Sequence, residues 1–382
     1  MSADELPLAG LKVVEFTHMV MGPSIGVILG DLGADVIKVE PQEGDQTRRL
    51  LGSGAGYFPM FNRNKRSICL NLKSEEGVAD ARDLIAGADI LVENFRPGTL
   101  DRLGLGYAAC STLNPRLIYC SAKGFLSGPY EHRAALDEVT QMMGGLAYMT
   151  GPPGRPLRAG TSVVDITGGM FGVIGVLAAL ERRHRTGGGA EVKCSLFETT
   201  AFLVGQHMAQ KEVTGQAAAP MPARISAWAI YDVFETLNPD EQLFVGVVSD
   251  TQWLAFCDAF GLDELAGNPD FAANNQRVLA RNVILPQIRE LLRGFTRKEL
   301  VARLERSGLP FAPIGRPEDL IDDPHLRASG GLLEITLPDG RTAMLPSLPL
   351  EMDGVRFGLR HDLPKAGAQS DEIRAEVASG AA

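Results

Sequence analysis

The sequence predicts an α/β fold in which a parallel sheet is covered by helices on both faces, with a smaller α+β domain attached. Two observations lead to this prediction. Over residues 1–125, short β-prone runs alternate with helical patterns at the spacing typical of parallel sheets. The β-prone runs are also apolar almost throughout, which is typical of strands that are buried on both faces.

Short β-prone runs are the predicted strands of this sheet. They cover residues 11–16, 34–40, 67–72, 89–93, 117–121 and 191–196. Helical patterns lie between and after them, over residues 22–32, 74–85, 100–103, 137–150 and 165–185. A further helix is predicted after the strand over 191–196, to about residue 213. Arginines followed by the glycines from Gly187 mark the end of the helix over 165–185.

A change in composition over residues 215–222 predicts a linker to a second domain. A strand pair over residues 229–236 and 242–248, with a turn at 238–240, follows the linker, and helical patterns come after it. Two further β-prone runs, over residues 332–337 and 342–345, lie in the C-terminal part. The second domain is therefore expected to be a smaller α+β domain.

Composition limits the classes of function. Acidic residues outnumber basic ones, 47 to 37, and the net charge of −10 argues against a nucleic-acid-binding protein, which would show a basic face. No basic segment precedes an apolar run at the N-terminus, so no secretory signal is expected. The apolar stretch over residues 170–180 is too short to span a membrane. Five cysteines without a CxxC pair predict free thiols and a cytoplasmic protein.

Several common catalytic motifs are absent from the sequence. Gly22, Gly26 and Gly30 follow the first predicted strand but do not form G-x-G-x-x-G, and there is no G-x-x-x-x-G-K-[ST]. No histidine or cysteine spacing predicts a zinc site, and no G-x-S-x-G predicts a serine hydrolase. Dehydrogenases, P-loop enzymes and serine hydrolases are therefore disfavoured.

One acidic residue stands out, Asp165 in the run VVDITGG over residues 163–169. Aspartate is a preferred N-cap, so the residue has a structural interpretation in which its carboxylate accepts hydrogen bonds from free N–H groups of a helix. It also has a functional interpretation. A carboxylate at a glycine-rich helix N-terminus, with exposed N–H donors, is suited to attack a thioester and to have the resulting oxyanion stabilised.

Basic and amide side chains cluster near the ends of neighbouring predicted strands. They lie over residues 62–67, 70–73 and 94–98 and at Arg102. Each is an ordinary surface residue when taken alone, but a cluster in an acidic protein also predicts a phosphate site. Because ligands bind at one edge of open α/β sheets, both interpretations stay open.

Several runs together resemble a known family. They are GLKVVEFTHMVMGPS, LGADVIKVEP, NRNKRSICLNLKSEEG, ADILVENFRPGTLDRLGLGY, NPRLIYCSAKGF, VDITGG and RTGGGAEVKCSL. In this order they resemble the class III CoA-transferase family, to which a 2-methylacyl-CoA racemase branch is related. The resemblance implies a large doubly wound, Rossmann-like domain built from residues 1–215 and 322–382, and a small domain over 216–321. It also implies a homodimer of two interlocked, ring-shaped subunits.

The resemblance further implies the residues of the site. Asp165 stands where the family's transferases carry their catalytic aspartate, with a coenzyme A thioester as substrate and no tightly bound cofactor. Contacts with CoA are implied for Val20, Leu70, Asn71, Leu72, Lys73, Asn94, Phe95, Arg96, Arg102, Ala122, Lys123 and Gly124. Lys123 and the basic run over 62–73 are expected to hold the CoA phosphates. Pro41 stands where formyl-CoA transferase has an arginine, which removes one expected contact.

Racemisation is the main alternative to transfer. It needs an acid/base pair, and the pattern of the racemase branch places a histidine directly before an aspartate, ahead of residues 139–145. Leu136 precedes Asp137 at that place, and His132 lies four residues early, so transfer is favoured. A CoA-binding protein without activity is a further alternative, which the intact Asp165 disfavours.

Substrate identity depends on the family alone. Succinyl-CoA is the expected donor and a small carboxylic acid, such as a dicarboxylate, the expected acceptor. No counterpart of the glycine-rich loop of formyl-CoA transferase is found over residues 215–260, which argues against formyl-CoA and oxalate. His18 and Arg224 are candidates for contact with a second carboxylate, with a structural role as the alternative for each.

Overall fold

A computed structural model describes residues 5–224, 226–238 and 240–379, and its central feature is a six-stranded sheet. The strands are β1 Lys12–Phe16, β2 Asp35–Glu40, β3 Lys65–Cys69, β4 Ile90–Glu93, β5 Ile118–Lys123 and β6 Ala190–Ser195. All neighbouring pairs are parallel. The predicted parallel sheet is thereby confirmed, although β3 begins earlier than expected, at Lys65, and ends at Cys69.

The strand order is β3-β2-β1-β4-β5-β6. This is the order of doubly wound, Rossmann-type sheets, in which the winding reverses between β1 and β4. A crevice opens at such a reversal, outside the carboxyl ends of the strands, and ligands bind there. The topology therefore places the expected ligand site beyond Phe16 and Glu93, the last residues of β1 and β4.

Two units make up the chain, one of Met1–Pro222 with Ile321–Ala382 and the other of Ala223–Leu320. The helices of the first unit up to Pro222 are α1 Met21–Asp31, α2 Tyr57–Phe61, α3 Glu75–Ala86, α4 Thr99–Arg102, α5 Tyr107–Leu113, α6 Asp137–Met143, α7 Leu146–Thr150, α8 Val163–Thr186, α9 Leu196–Leu203 and α10 Gly205–Thr214. The predicted linker over 215–222 thus lies directly before the second unit.

The second unit contains a three-stranded antiparallel sheet and five helices in its described residues. The strands, in spatial order, are β7 Tyr231–Glu235, β8 Gln242–Gly246 and β9 Phe311–Pro313. The helices are α11 Asp250–Phe260, α12 Asp263–Ala266, α13 Asn274–Leu279, α14 Arg281–Arg293 and α15 Arg297–Arg306. The predicted strand pair is present, and β9 is an addition to it. Pro239 of the predicted turn lies outside the described residues.

The C-terminal part of the first unit returns to the parallel sheet. Its elements are α16 Pro324–Ala328, β10 Leu332–Thr336, β11 Thr342–Pro346, β12 Glu351–Met352, β13 Val355–Arg356 and α17 Ser370–Ala378. The backbone N–H of Gln369 donates to the carbonyl of Ser67, at 3.1 Å, and the Ser370 hydroxyl accepts from the N–H of Cys69. These bonds fix the start of α17 beside β3.

Helices cover both faces of the sheet, as the apolar strands predict. On one face, α1 and α8 bury side chains such as Ile25 and Val176 against alternate residues of the strands. On the other face, α3, α5 and α17 do the same with residues that include Leu84 and Ile373. Because both faces are occupied by helices, the carboxyl edge of the sheet is left for binding small molecules.

The helix predicted over residues 137–150 is interrupted. It forms α6 and α7, separated by Gly144 and Gly145. Gly145 has a φ of +84°, a left-handed conformation that residues with a side chain rarely adopt, so the helix ends there. Asp137 becomes the first residue of the short α6, and its carboxylate contacts the start of α8.

One described helix, α8, is long and apolar enough to cross a membrane by length and composition alone. It extends beyond the stretch over residues 170–180 that the sequence suggested. In this structure it packs on α1 and the sheet, and nearly half of its apolar window is buried. Its other side leaves Met170, Ile174 and Leu177 exposed.

Candidate active site

Asp165 is the third residue of α8 and lies in the first turn of the helix. The cap position belongs to Ser162, whose side chain makes no capping hydrogen bond. Instead, the Asp137 carboxylate accepts from the N–H groups of Val164 and Asp165, at 2.9 and 3.1 Å. The interpretation of Asp165 as an N-cap was therefore wrong, because another carboxylate fills that role.

The carboxylate of Asp165 is half-buried and has no fixed partner. Within residues 5–224, 226–238 and 240–379 it accepts no hydrogen bond and forms no ion pair. Burial, reinforced by the charge of Asp137 and partly opposed by Arg158, raises the pKa of Asp165 from 3.8 to about 7. A half-buried carboxylate that titrates near neutral pH is typical of a reactive site.

This raised pKa predicts that replacing Asp165 stabilises the protein at alkaline pH. The folded state binds the proton more tightly than the unfolded state, so stability falls as pH rises from about 4 to 7. The effect is at most about 4 kcal/mol, from about 1.4 kcal/mol for each pH unit. We expect Asp165→Asn to lack this loss. Denaturant unfolding at pH 5 and pH 8 measures it, and an equal pH dependence in both proteins would contradict the assignment.

Gly168 and Gly169 allow α8 to approach α1 closely. A Cβ atom at Gly168 would lie 2.7 Å from Met21 Cε, and one at Gly169 would lie 2.8 Å from Ser24 Cβ. Both glycines lie beyond the first turn, so their N–H groups belong to the hydrogen-bonded interior of the helix. Asp137 also occupies the N–H groups of Val164 and Asp165, so the expected oxyanion site at the N–H groups of the VVDITGG run was wrong. The alternative for Gly168 and Gly169, a close backbone approach, is what the structure shows.

The close approach brings the start of α8 beside the turn that joins β1 to α1. Ile166 packs against a cluster that contains Val20, the residue before α1. Within the turn, Met19 has a φ of +63°, a strained conformation for a residue with a side chain. Asn94, which follows β4, holds the turn by accepting from the N–H of His18 at 3.0 Å and donating to its carbonyl at 2.8 Å.

A cleft of about 560 Å³ lies at the reversal of the sheet, beyond the carboxyl ends of β1, β2, β3 and β4. His18 and Met19 of the strained turn form one wall, with Phe95 nearby. The predicted residues Leu70, Asn71, Leu72 and Lys73 also line it, after β3. A largely pre-formed cleft at this position is suited to a cofactor-sized ligand.

Other residues implied for CoA line two further clefts of the same unit. Leu72, Lys73 and Arg102 line one of about 430 Å³, and Arg96 and Lys123 line one of about 340 Å³. Lys73 therefore belongs to both the 560 Å³ and the 430 Å³ cleft. Lys73, Arg96 and Arg102 are exposed cations, free to meet a phosphate. The implied residues that line none of these three clefts are Val20, Asn94, Ala122 and Gly124.

Lys123 is held by groups of the protein. Its ammonium lies 2.6 Å from Glu93 Oε1 and donates to the carbonyl of Phe95 at 2.8 Å. Through these contacts Lys123 links β5 to the loop that carries Asn94 and Phe95. Lys123 thus lines the 340 Å³ cleft, and its charge is already paired with the Glu93 carboxylate.

The basic run over residues 62–66 does not face the clefts. Arg63 pairs with Asp31, Lys65 with Glu15, and Arg66 with Asp35 at the other edge of the sheet. These residues precede or begin β3, whereas ligands of a parallel sheet bind to residues that follow the strands. The direction of β3 therefore keeps them away from the clefts. The expectation that this part of the run holds CoA phosphates was wrong, and only the part after β3 lines the clefts.

Sequence reasoning missed the neighbours of Asp165. Asp137 is buried, and its second oxygen accepts from the amide of Gln141 at 2.5 Å. Arg158 donates to Glu138 at 2.7 Å, and its other terminal nitrogen lies 3.7 Å from Asp137. The spacing of Asp137 and Gln141 at i and i+4 was visible in the sequence, but it did not show that both face α8.

Neither of the two histidines named from the sequence makes a hydrogen bond or an ion pair with the Asp165 carboxylate in the described residues. His18 faces the 560 Å³ cleft, where its ring lies 5.7 Å from that of Phe95. His132 is 83% exposed and lies 3.2 Å from Glu131. Arg224 belongs to the second unit. No group of three or more possible metal ligands occurs in the part of the chain that the structure describes.

Comparison with known proteins gives the family. The chain matches the family model of CoA-transferase family III over residues 8–370. It belongs to CoA-transferase family III. An acetyl-CoA:oxalate CoA-transferase from Acetobacter aceti is 34% identical, covering 98% of this chain and 96% of the relative. A succinate–glutarate CoA-transferase from Agrobacterium fabrum is 32% identical, covering 97% and 96%.

A solved structure confirms the fold of this CoA-transferase. A CAIB/BAIF family protein from Brucella suis is 35% identical and superposes with a TM-score of 0.84, covering 97% of this chain and 99% of that protein. The family match runs through the sheet, the clefts and α8. The chain is thus an enzyme of the CoA-transferase class.

Proposed function

We propose that this enzyme moves CoA from an acyl-CoA to a carboxylic acid through Asp165. The observation that carries the proposal is the unpaired, half-buried Asp165 carboxylate, with a pKa raised to about 7, beside the turn that lines the 560 Å³ cleft. Near neutral pH a substantial fraction of the group is ionised. The ionised carboxylate lacks competing donors, so it is available as a nucleophile.

The proposed reaction passes through two kinds of covalent intermediate. An Asp165 oxygen attacks the thioester carbonyl of the donor, the C–S bond breaks, and an aspartyl anhydride and CoA thiolate result. The thiolate then attacks the aspartyl carbonyl and releases the donor acid, which leaves an aspartyl-CoA thioester. The acceptor carboxylate attacks the carbonyl of this thioester, the C–S bond breaks, and a second aspartyl anhydride and CoA thiolate result. The thiolate then attacks the acceptor carbonyl of the anhydride, which gives the acceptor acyl-CoA and frees the Asp165 carboxylate. Each step exchanges one acyl bond for another, without net oxidation.

The proposed CoA site is the 560 Å³ cleft and its 430 Å³ neighbour. Apolar groups such as Leu72 and Phe95 suit the less polar parts of CoA, while Lys73 and Arg102 suit its phosphates. The strained turn at His18 and Met19 directs the thioester end toward α8.

We expect Lys73→Ala and Arg102→Ala each to raise the KM for acyl-CoA by about 3–10-fold, with kcat nearly unchanged, because each removes one exposed phosphate contact. Steady-state kinetics with varied acyl-CoA measures this. Arg185→Ala is the matched control, since Arg185 is 72% exposed at the far end of α8. An unchanged KM in both cleft variants would place the CoA phosphates elsewhere.

Short dicarboxylic acids are the proposed substrates, with succinyl-CoA as donor. The names of the relatives support this class: one is named for oxalate and another for succinate and glutarate. The relative named for oxalate also shows that the sequence argument against oxalate needs a direct test. Oxalate therefore belongs in the panel of acceptors.

The direct test is a transfer assay with succinyl-CoA or acetyl-CoA as the donor. The acceptors are acetate, oxalate, glutarate, malate, mesaconate and itaconate, each in unlabelled and labelled form. Mass spectrometry follows the CoA esters that are formed. A new CoA ester names the acceptor. Deuterium exchange at the α-carbon of a 2-methylacyl-CoA is followed in parallel. Exchange without transfer would move the enzyme to the racemase branch, although Leu136 and the distant His132 disfavour that outcome.

We also propose that the enzyme is a homodimer of interlocked subunits. Its support is an apolar surface on α8, α9 and α10, where Ile174, Phe202 and Val213 are among the exposed side chains. Light scattering should give twice the mass of the chain. Differently tagged dimers should exchange subunits only after unfolding, because interlocked chains cannot separate while folded. A monomer, or rapid exchange, would contradict the proposal.

A further inference from the structure

Asp137 makes an unusual connection to the residue proposed as nucleophile. It lies on α6, is only 6% exposed, and accepts from the N–H of Asp165 itself as well as from that of Val164. Both bonds go to one carboxylate oxygen, Oδ2. Side chains that cap a helix commonly come from the residue before it, but here the cap is supplied from 27 residues away.

The other oxygen of Asp137 is also fixed. Oδ1 accepts from the side-chain amide of Gln141 at 2.5 Å, and the carbonyl oxygen of that amide accepts from the N–H of Ala159 at 2.9 Å. Gln141 is fully buried. The chain Ala159–Gln141–Asp137–Asp165 therefore ties the segment before α8, the helix α6 and the first turn of α8 into one hydrogen-bonded network.

We propose that Asp137 is a positioning residue for CoA transfer, which holds the backbone of Asp165 at the start of α8 and places a negative charge beside the nucleophile. The inference rests on the proposed role of Asp165. Asp137 has no direct contact with the substrate in this proposal. Asp137 holds α8 in position because both of its carboxylate oxygens accept hydrogen bonds. Oδ2 accepts from α8, and Oδ1 accepts from Gln141.

Two charged side chains, Asp137 and Arg158, affect the pKa of Asp165, so the effect of each can be assigned. Asp137 faces it from α6, and Arg158 faces it from the segment before α8. On the side toward α1, the neighbours of α8 are uncharged residues such as Met21 and Ser24. Asp137 raises the pKa of Asp165, whereas Arg158 lowers it and is itself shared with Glu138. Removing the charge of Asp137 should therefore let Asp165 ionise at lower pH.

The hydrogen bond from the Asp165 N–H to Asp137 also fixes the position from which the Asp165 carboxylate can attack. An aspartate side chain has two torsions, so its carboxylate position depends on where its backbone is held. With its N–H bonded to Asp137, the first turn of α8 is held against fraying, and the backbone of Asp165 stays in place. Displacement of a reacting group by about 1 Å costs on the order of 100-fold in rate.

Three variants test the proposal. Asp137→Ala removes both the hydrogen bonds and the charge. Asp137→Asn combined with Gln141→Glu exchanges the carboxylate and the amide, so that every hydrogen bond can form while the charge moves away from α8. Glu181→Gln is the control, because Glu181 is a 68% exposed carboxylate toward the far end of α8 that pairs with His184 and Arg185.

We expect Asp137→Ala to lower kcat by on the order of 10–100-fold with the KM for acyl-CoA within about twofold. The exchanged double variant should regain most of kcat, with the acid limb of its kcat/KM profile displaced to lower pH than in the wild type. Loss of kcat in proportion to lost thermal stability, a change confined to KM, or an acid limb that does not move would each overturn the proposal. If Asp137→Ala does not fold, the double variant still decides between these results.

Asp165→Asn in the same assay separates this inference from the proposed function. If Asp165→Asn keeps its activity, the proposed nucleophile is wrong, whatever the Asp137 variants show. If Asp165→Asn is inactive and the exchanged double variant behaves like the wild type at every pH, the nucleophile stands and the electrostatic role of Asp137 is wrong.

Discussion

Replacing Asp165 by asparagine should lower CoA transfer by on the order of 10⁴-fold or more, because the amide cannot form the aspartyl anhydride. The substitution keeps the size and shape of the side chain. It also leaves intact the backbone N–H that donates to Asp137. A loss of this size would therefore report on chemistry, and the expected gain in stability at alkaline pH excludes unfolding as its cause.

The covalent intermediate gives a second readout. Incubation of the wild-type enzyme with an acyl-CoA, without acceptor, should add the mass of CoA less one water to the chain, as expected for a thioester, and peptide mapping should place it on residues 163–186. Glu181→Gln is a matched control, since Glu181 is a 68% exposed carboxylate on the same helix. An adduct that persists in Asp165→Asn, or one found on another carboxylate, would show that a different residue carries the acyl group.

Local sequence pattern predicted the sheet well because each strand carries a short run of β-prone residues that lies between helical patterns. The elements that it missed depend on distant contacts or on very short segments. The strand β9 has three residues, Phe311–Pro313, too few for a periodic pattern. The break between α6 and α7 was marked by Gly144 and Gly145, but adjacent glycines in an otherwise helical stretch do not alone show where the chain turns.

The candidate site was predicted in part, and the reasons differ from residue to residue. Asp165 was found because its run resembles the family, whereas its structural partner Asp137 was not, since the bond between them spans two helices. The error over Arg63 and Lys65 was avoidable. These residues precede the predicted strand that begins at residue 67, so a parallel sheet places them at the edge opposite to Lys73.

Replacing Arg63 by methionine should destabilise the protein by about 3–5 kcal/mol, because it leaves a buried carboxylate without its cation. Arg63 and Asp31 are 2% and 1% exposed. Two guanidinium nitrogens of Arg63 donate to the two oxygens of Asp31, at 3.2 and 2.6 Å. Asp31 is also the last residue of α1, where the helix dipole disfavours a negative charge.

The pH dependence of this loss identifies its cause. Burial already raises the pKa of Asp31 in the wild type, in spite of Arg63 and of the amide of Asn64. Without Arg63 the pKa must rise further, so the variant should regain stability relative to the wild type as pH falls from 8 to 5 and Asp31 takes up a proton.

Denaturant unfolding measures the difference, with Arg185→Met on the exposed end of α8 as the control, expected to cost at most about 0.5 kcal/mol. Adding Asp31→Asn to Arg63→Met should restore part of the stability at pH 8, because the uncompensated charge is then gone. If Arg63→Met and Arg185→Met lose equal stability, or if Arg63→Met regains no stability at low pH, the Arg63–Asp31 pair does not stabilise the fold. The burial of Arg63 and Asp31 would then have to be explained by something other than a stabilising ion pair.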